Sequence, residues 1–285
     1  MPGIVISVAM AMVAFAANSV FARLALGAAE IDAAGYTGVR LLSGAVTLAL
    51  LLLAQRRPLA FTAAFRDRAR WTTAAALFGY AITFSYAYLL LGAGVGALIL
   101  FATVQVSMLG WALIKGDRPG PIALSGMAVA LGAFVYLISP GLVAPHPLGA
   151  ALMIAAGLFW AVYSLLGRGS KEPLVDTAYN FVLTAPVALG LCIISLMGGA
   201  PTPAGLAWAI ASGALASGIG YAIWYRGLPR LLRSSAAIVQ LTVPVIATVG
   251  GILFIGEVLT LRLVIASALI LGGVAVAITA RRKPG

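Results

Sequence analysis

Ten apolar stretches follow one another along this chain, and few residues lie between them. A helix needs about 20 apolar residues to cross a hydrocarbon core of about 30 Å, and every stretch is close to that length. Hydrophobic residues make up 62% of the sequence and charged residues 9%, so there is more apolar surface than a soluble domain can bury. The chain is therefore predicted to be an all-α membrane protein, without room in this sequence for a soluble catalytic domain. Its predicted spans are Ile4–Leu26, Gly35–Ala54, Trp71–Leu91, Gly94–Ile114, Ile122–Ser139, Leu148–Gly167, Thr177–Met197, Ala204–Tyr225, Ser234–Ile255 and Thr260–Ala280.

A pair of spans with the turn between them occurs twice. The tetrapeptide Gly-Tyr-Ala-Ile begins at Gly79 and again at Gly220, and a glycine followed by an acid, Gly116-Asp117 or Gly256-Glu257, comes 37 or 36 residues later. We therefore predict a five-helix unit at 1–140, an outer-side linker at 141–147 and a second five-helix unit at 148–285. Because five is odd, the second unit must be inverted relative to the first. Inverted repeats are typical of secondary transporters, which bind their substrate near the midplane between the repeats.

The basic residues are distributed asymmetrically across the predicted spans. Fifteen of the 18 fall on the side that holds the N-terminus, and only Arg23, Arg40 and Arg262 fall on the other. Cytoplasmic loops carry such an excess of Lys and Arg, so both termini are predicted to be cytoplasmic. Topology thus accounts for the net charge of +11, and we predict no nucleic-acid partner.

No carboxylate falls at the middle of a predicted span. The seven acidic residues lie in loops or at span ends, whereas an exporter of cationic drugs driven by protons is expected to bury one. A carrier of phosphorylated sugars is expected to place Lys or Arg in its spans. Arg40 alone approaches that position, and we predict that it pairs with Glu30 or Asp32 near the outer surface. These absences favour a neutral or zwitterionic substrate that moves down its own gradient, with a proton route through tyrosines and water left open.

The spans do carry aromatic and amide side chains. Tyr80, Phe84 and Tyr88 recur every four residues and so share one helix face. Mid-span amides need hydrogen-bonding partners inside the bundle. The pattern indicates a cavity with aromatic walls, although such residues also occur as packing or as interfacial belts. The candidate cavity residues are Asn18, Tyr80, Phe84, Gln105, Trp160, Tyr163, Tyr221, Trp224 and Gln240.

Two further patterns concern helix packing and movement. Pro244 and Gly250 in the ninth span are candidates for a hinge, because proline interrupts helical hydrogen bonding, and an ordinary packing kink is the alternative. Small or smooth ridges mark the fifth and tenth spans and allow close helix contacts. These two spans are predicted to pack at the periphery, and the alternative is that they are simple lipid-facing helices. The residues of these ridges are Gly126, Ala130, Ala133, Ala266, Ile270 and Gly273.

Signatures of enzymes are missing from the sequence. It has no cluster of metal ligands, no phosphate-binding loop and no nucleophile paired with a histidine. We therefore predict a protein that is not an enzyme and has no metal or cofactor. Its predicted partners are a small-molecule substrate and the lipid bilayer, and it is predicted to be a monomer or a weak homo-oligomer.

Short motifs at corresponding places of the two units resemble a known family. Phe15-Ala-Ala-Asn-Ser19 and Trp160-Ala-Val-Tyr-Ser164, together with the Gly-Asp and Gly-Glu ends, resemble the EamA branch of the drug/metabolite transporter superfamily. Within that branch the chain is most similar to the YddG-type exporters of aromatic amino acids. Where this family often has Trp, the chain has Phe15.

The resemblance implies a basket-like bundle in the bacterial inner membrane that exports amino acids by alternating access. Spans one, three, four, six, eight and nine would line the cavity, spans five and ten would be peripheral, and 79–114 and 220–255 would form opposed gates. Asp117 and Glu257 would cap or anchor helix ends. The alternatives are a multidrug or purine/nucleoside exporter of the same fold, with proton coupling possible, and a membrane scaffold that carries no solute.

Overall fold

The computed structural model describes residues 2–57, 65–116, 120–140, 144–168, 170–227 and 239–280. Within these ranges the regular structure is entirely helical, and each predicted span corresponds to one of ten helices. The all-α, ten-helix fold is thus confirmed, although residues 234–238 of the ninth predicted span lie outside the described residues. The helices are α1 Pro2–Gly27, α2 Ala33–Ala54, α3 Arg68–Tyr88, α4 Ala93–Ile114, α5 Pro121–Ile138, α6 Pro147–Leu166, α7 Pro173–Gly198, α8 Pro203–Gly227, α9 Thr242–Ile255 and α10 Leu261–Ala280.

Local sequence explains where the helices begin and end. Proline, which fits the first helical turn because its missing N–H is not needed there, begins each helix from α5 to α8. The carboxylate of Asp32 caps α2 by accepting the Gly35 N–H at 2.8 Å. Gly116 and Gly256 follow the ends of α4 and α9 with φ of 91° and 72°. Glycine adopts this left-handed conformation without strain, which explains why the duplicated Gly-acid motif begins with it.

Eight of the described helices are long and apolar enough to cross a membrane. The other two are α3 and α9. The described part of α9 has 14 residues, which is short for a span. Hydroxyl groups of threonine, serine and tyrosine are spread along α3, and they make it less apolar than its neighbours. Ten of its residues are nevertheless buried, so α3 faces other helices rather than lipid along much of its length.

The helix contacts place α3 and α2 inside the bundle. α3 packs mainly on α6, α2 packs on α7 and on the middle of α8, and α1 packs on α8 and α9. α4 lies against α6 and α9. Aromatic residues of α3, α6 and α8 belong to the largest group of buried apolar side chains, which extends through most of the bundle.

Helices α5 and α10 pack against each other as a pair at the edge of the bundle, and they have few contacts elsewhere. Gly126 and Gly273 lie at their crossing. A Cβ added to either glycine would come within 2.6 Å of the backbone oxygen of the other. The predicted close packing of these two smooth ridges is confirmed, because only residues without a side chain permit this approach.

The middle of α8 is a π-helix over Ser212–Ile219, which sequence reasoning did not predict. Such wider turns are rare and frequently occur at functional sites. The segment is held tightly against α2, since a Cβ on Gly213 would lie 2.1 Å from the backbone oxygen of Arg40. In the sequence this segment reads Ser-Gly-Ala-Leu-Ala-Ser-Gly, and its small residues on either side of Leu215 let neighbouring helices approach.

Candidate functional site

Five of the predicted cavity residues form one continuous set of ring contacts where α3, α6 and α8 meet. The ring centroids of Tyr80 and Trp160 are 4.8 Å apart, and those of Tyr80 and Phe84 are 5.4 Å apart. Trp160 stacks on Tyr163 at 5.2 Å and on Tyr221 at 5.9 Å. These distances lie in the range of favourable aromatic pairs. We call these five residues, Tyr80, Phe84, Trp160, Tyr163 and Tyr221, the aromatic cluster.

Four more rings extend the aromatic cluster and were not among the predicted cavity residues. Phe15 of α1 lies 5.5 Å from Tyr221, and Tyr225 stacks on Tyr221 at 6.0 Å. Phe181 of α7 contacts Tyr221, and Tyr88 contacts Phe84 at 4.7 Å. The four-residue spacing of the α3 stripe already indicated Tyr88, and Tyr225 follows Tyr221 by four residues on α8. The contacts of Phe15 and Phe181 join different helices and have no local sequence signal.

Arg40 is buried beside the aromatic cluster, so the prediction that it pairs with Glu30 or Asp32 near the surface is wrong. Only 2% of the residue is exposed. Its Nη2 donates to the Tyr80 hydroxyl at 3.0 Å, and its guanidinium carbon lies 4.6 Å from the Phe84 ring centroid. Its Nη1 has no hydrogen bond to any residue that the structure describes.

The two acids proposed as partners of Arg40 are engaged elsewhere. Asp32 caps α2 with one carboxylate oxygen and accepts the Ser195 hydroxyl with the other. Glu30 accepts the Thr202 hydroxyl. Arg40 lies seven residues beyond the start of α2, which is about 10 Å along a helix. This distance carries the guanidinium away from the helix end and into the bundle.

A buried cation of this kind is costly. Removing an ion from water costs several kcal/mol even after relaxation of the protein. A desolvated cation–π contact stabilises the buried guanidinium by about 2 kcal/mol, and the hydroxyl of Tyr80 accepts one hydrogen bond from it. Arg40 is therefore a buried cation whose cost is only partly offset by its contacts, and it lies against the rings of Tyr80 and Phe84 in the aromatic cluster.

Asn18 joins α1 to the π-helical part of α8. Its Oδ1 accepts the Ser212 hydroxyl at 2.8 Å and that of Ser217 at 3.4 Å. The predicted need of this amide for a partner inside the bundle is met by these hydroxyls. Asn18 thus connects the helix that carries Tyr221 to α1, and it makes no ring contact itself.

The remaining predicted residues lie apart from the ring contacts of the aromatic cluster. Trp224 contacts Phe15 at 6.0 Å and is buried in a separate apolar group between α1, α4 and α9. Gln105 is buried on α4 and Gln240 is half-buried just before α9. Among the described residues, no hydrogen bond or ring contact links either amide to the cluster. Helical structure is interrupted at Leu241, three residues before Pro244, as expected where a proline removes a backbone hydrogen bond.

Gly250, the other hinge candidate, lies where α9 touches α1. A Cβ at this position would be 2.7 Å from Val20 Cγ2, so the glycine permits close packing of the two helices. The structure therefore gives Gly250 a packing contact, and its role in a hinge stays a prediction.

Glu257 links the ends of the two predicted gates. Its carboxylate follows α9 and accepts the Ala93 N–H at the start of α4, at 2.7 Å. The same group forms an ion pair with Arg23 at 3.6 Å, and Arg23 donates to the Tyr88 carbonyl. The prediction that Glu257 caps a helix end is confirmed, while Asp117 lies outside the described residues.

At the opposite end of the bundle, ion pairs join α7 to its neighbours. Arg70 of α3 pairs with Asp176 at 2.7 Å, and Arg57, just after α2, pairs with Glu172. These pairs link α7 to α2 and α3 at this end, whereas Glu257 and Arg23 link α9 to α4 and α1 to α3 at the other.

Comparison with known proteins places this architecture in a family. The profile of the EamA-like transporter family matches residues 147–279, which hold α6 to α10. The chain belongs to the EamA-like transporter family. The resemblance to the drug/metabolite transporter superfamily is confirmed, and the chain is a multi-pass membrane protein of a transporter family.

Named relatives of this EamA-like transporter include amino-acid exporters. A protein of Pseudomonas aeruginosa described as uncharacterized is 48% identical over 95% of this chain and 93% of its own length. The threonine/homoserine exporter RhtA of Salmonella typhimurium is 30% identical over 48% of this chain and 47% of its own. The aromatic amino acid exporter YddG of Ancylobacter novellus is 26% identical over 73% of this chain and 74% of its own.

A solved crystal structure has the same fold as this EamA-like transporter. It superposes with a TM-score of 0.65 over 96% of this chain and 99% of its own, at 21% sequence identity.

Proposed function

We propose that this EamA-like transporter exports amino acids, including aromatic ones, across the bacterial inner membrane by alternating access. The observation that carries the proposal is the buried aromatic cluster where α3, α6 and α8 meet, with Arg40 against it. Aromatic faces bind the apolar part of a solute, and a small number of polar groups orient it. Amino acids combine these two requirements in one small molecule.

The path of transport follows from the two predicted gates. Inverted repeats bring the hairpin of α3 and α4 opposite that of α8 and α9, and each hairpin supplies a ring to the aromatic cluster, Tyr80 from one and Tyr221 from the other. In the proposed cycle the hairpins open the cluster alternately to the cytoplasm and to the periplasm, with both termini cytoplasmic. The hinge would lie near Pro244 and Gly250, and Gln105 and Gln240 would contact the solute in another state of the cycle.

The transporter is proposed to work as a uniporter without covalent chemistry. The acids that the structure describes lie at helix ends, where they cap helices or bind Arg and hydroxyl groups. None of them is available in the interior of the bundle to alternate between a proton and a solute. The substrate gradient is therefore the proposed source of energy.

The test is flux into liposomes that hold the purified protein. Radiolabelled tryptophan, phenylalanine and threonine would be supplied with and without a pH gradient, and protein-free liposomes would serve as the control. Uptake that does not depend on the gradient is the expected result, and uptake that follows the gradient would contradict the uniport mechanism. Flux of nucleosides or drugs without flux of amino acids would overturn the proposed substrate class. A protein that moves none of them would favour the scaffold hypothesis.

A further inference from the structure

We infer that Arg40 is the carboxylate-binding residue of this transporter, so that the substrates it accepts carry a carboxylate. The inference rests on the proposed function, because it assigns a role in that same site to one side chain. It distinguishes carboxylates from the nucleosides and cationic drugs that other transporters of this fold class could carry.

The first step is that Arg40 has hydrogen-bonding capacity left over in a buried place. Nη2 is used by Tyr80, whereas Nη1 has no hydrogen bond to the described residues, although the residue is 98% buried. One turn earlier on the same face of α2, the hydroxyl of Tyr36 has only Ser212 as a hydrogen-bonding neighbour among the described residues, and that contact lacks normal hydrogen-bond geometry. Buried polar groups without full hydrogen-bonding partners require an explanation, and a polar ligand bound beside Arg40 would supply the missing hydrogen bond.

The second step is that the described residues supply no counter-ion. The ionisable side chains around Arg40 are the tyrosines Tyr36, Tyr80 and Tyr221, and none of them is a carboxylate. The chain has seven acids, and the six that the structure describes are occupied by other groups. Their partners are Thr202 for Glu30, Ser195 for Asp32, Arg70 for Asp67 and Asp176, Arg57 for Glu172, and Arg23 for Glu257.

The third step concerns the chemistry of the missing partner. A guanidinium presents parallel N–H groups that match the two oxygens of a carboxylate, and arginine is favoured wherever a planar anion is bound. The aromatic faces of Tyr80 and Phe84 hold the guanidinium in place from the side, at 5.2 and 4.6 Å from its carbon. A fixed, desolvated cation of this kind binds an anion more strongly than a mobile one in water.

The fourth step is the position of the rest of the substrate. Tyr80 contacts both Arg40, through its hydroxyl at 3.0 Å, and Trp160, through its ring at 4.8 Å. A carboxylate held by Nη1 therefore places the attached side chain next to the rings of the aromatic cluster. The geometry accommodates an amino acid, and it equally accommodates a monocarboxylic acid that lacks the amine.

The experiment compares three ligands that share one ring. Phenylalanine carries both charged groups, 3-phenylpropionate carries the carboxylate alone and phenethylamine carries the amine alone. The two analogues compete with radiolabelled phenylalanine in the liposome assay, with wild type, Arg40→Gln, Arg40→Lys and Arg262→Gln. Arg262 is the matched control, because it is a buried arginine that binds the carbonyl oxygens of Tyr136 and Ser139 at the end of α5.

In wild type, 3-phenylpropionate is expected to compete and phenethylamine is not. Arg40→Gln is expected to weaken competition by 3-phenylpropionate by about ten- to a hundredfold, the size of a lost charge-assisted hydrogen bond. Arg40→Lys should keep part of the preference, since it retains the charge but not the planar pair of donors. Arg262→Gln should leave the preference unchanged. A preference for the carboxylate that survives in Arg40→Gln, or one that is lost equally in Arg262→Gln, would overturn the inference.

A second measurement applies to wild type alone and does not depend on the folding of any variant. Thermal stabilisation of the detergent-solubilised protein by the same three ligands should be larger for the two carboxylates than for phenethylamine. Equal stabilisation by the amine would overturn the inference. Carboxylate-specific stabilisation without flux of any amino acid would leave the inference standing and refute the proposed function instead. If amino acids are transported but 3-phenylpropionate and phenethylamine compete equally well, the inference is refuted and the proposed function is not.

Discussion

Tyr80 has two contacts that no single helix could reveal. Its hydroxyl accepts a hydrogen bond from Arg40 of α2, and its ring lies against Trp160 of α6. Tyr80 thus couples Arg40 to the aromatic cluster, because a shift of its ring changes both the hydrogen bond with Arg40 and the contact with Trp160. The same residue on a lipid-facing helix would contact neither, so its role follows from the position of three helices and not from its type.

At the scale of the residue, Trp160→Leu tests the aromatic cluster. The substitution removes the contacts with Tyr80, Tyr163 and Tyr221. Each aromatic pair contributes about 0.5–1.5 kcal/mol, so amino-acid flux should fall by about tenfold or more. The control is Trp111→Leu, since Trp111 is 40% exposed on α4 and lies beside Lys115. Equal flux in both variants, at equal amounts of folded protein, would show that the cluster is only packing.

At the scale of the element, the pair α5 and α10 shows how small residues decide which helices meet. The approach at Gly126 is so close that the nearest atoms to an added Cβ belong to the backbone of α10, at 2.6 Å and 2.9 Å. Backbone atoms cannot move aside as a flexible side chain can. The packing of α5 on α10 should therefore be disturbed by a methyl group added to the face of α5 that touches α10. A methyl group added to the opposite face of α5 should not disturb it.

Gly126→Ala should destabilise the protein by about 1–3 kcal/mol, the usual cost of overpacking. The matched control is Gly132→Ala on the same helix, where no atom lies within 4 Å of an added Cβ. Alanine is the better helix former, so this control should be neutral or slightly stabilising. Melting temperatures in detergent would measure both. A Gly132→Ala variant that melts as early as Gly126→Ala would refute the contact between α5 and α10.

The link between α9 and α4 belongs to the same scale. Glu257→Ala removes the acceptor of the Ala93 N–H and the partner of Arg23. Loss of a cap costs about 1–2 kcal/mol, whereas an exposed ion pair contributes about 0–1 kcal/mol. Glu172→Ala is the control, because its side chain is 57% exposed in the pair with Arg57. Glu257→Ala should therefore lower the melting temperature further than Glu172→Ala, and the reverse order would contradict the cap.

At the scale of the whole molecule, the distribution of charge predicts the orientation in the membrane. The predicted topology puts 15 of the 18 basic residues of the sequence on one side of the membrane. With this bias the N- and C-termini should be cytoplasmic. A green fluorescent protein fused after the C-terminus should fluoresce, and alkaline phosphatase at the same place should be inactive. The opposite pair of results would reverse the assignment of the two ends, and with it the direction of export.

The sequence by itself determined the helices, their number and their local ends. These features depend on residues that are near one another in the chain: runs of about 20 apolar residues, proline at the first turn, and glycine after α4 and α9. The four-residue stripe of α3 and the smooth ridges of α5 and α10 were also visible, because helical geometry alone decides which residues share a face.

Only the tertiary structure decided what those faces touch. The sequence predicted that Arg40 pairs with Glu30 or Asp32 near the surface, whereas in the structure it is buried beside Tyr80 and Phe84. Glu30 and Asp32 bind the hydroxyl groups of other residues. The structure also revealed the π-helical segment of α8, which packs against α1 and α2. The physical reason is that helix tilt and rotation are set by packing against neighbouring helices and not by the sequence of one span. A charge two turns from a helix end can thus face water or the centre of the bundle, and in this protein it faces the centre.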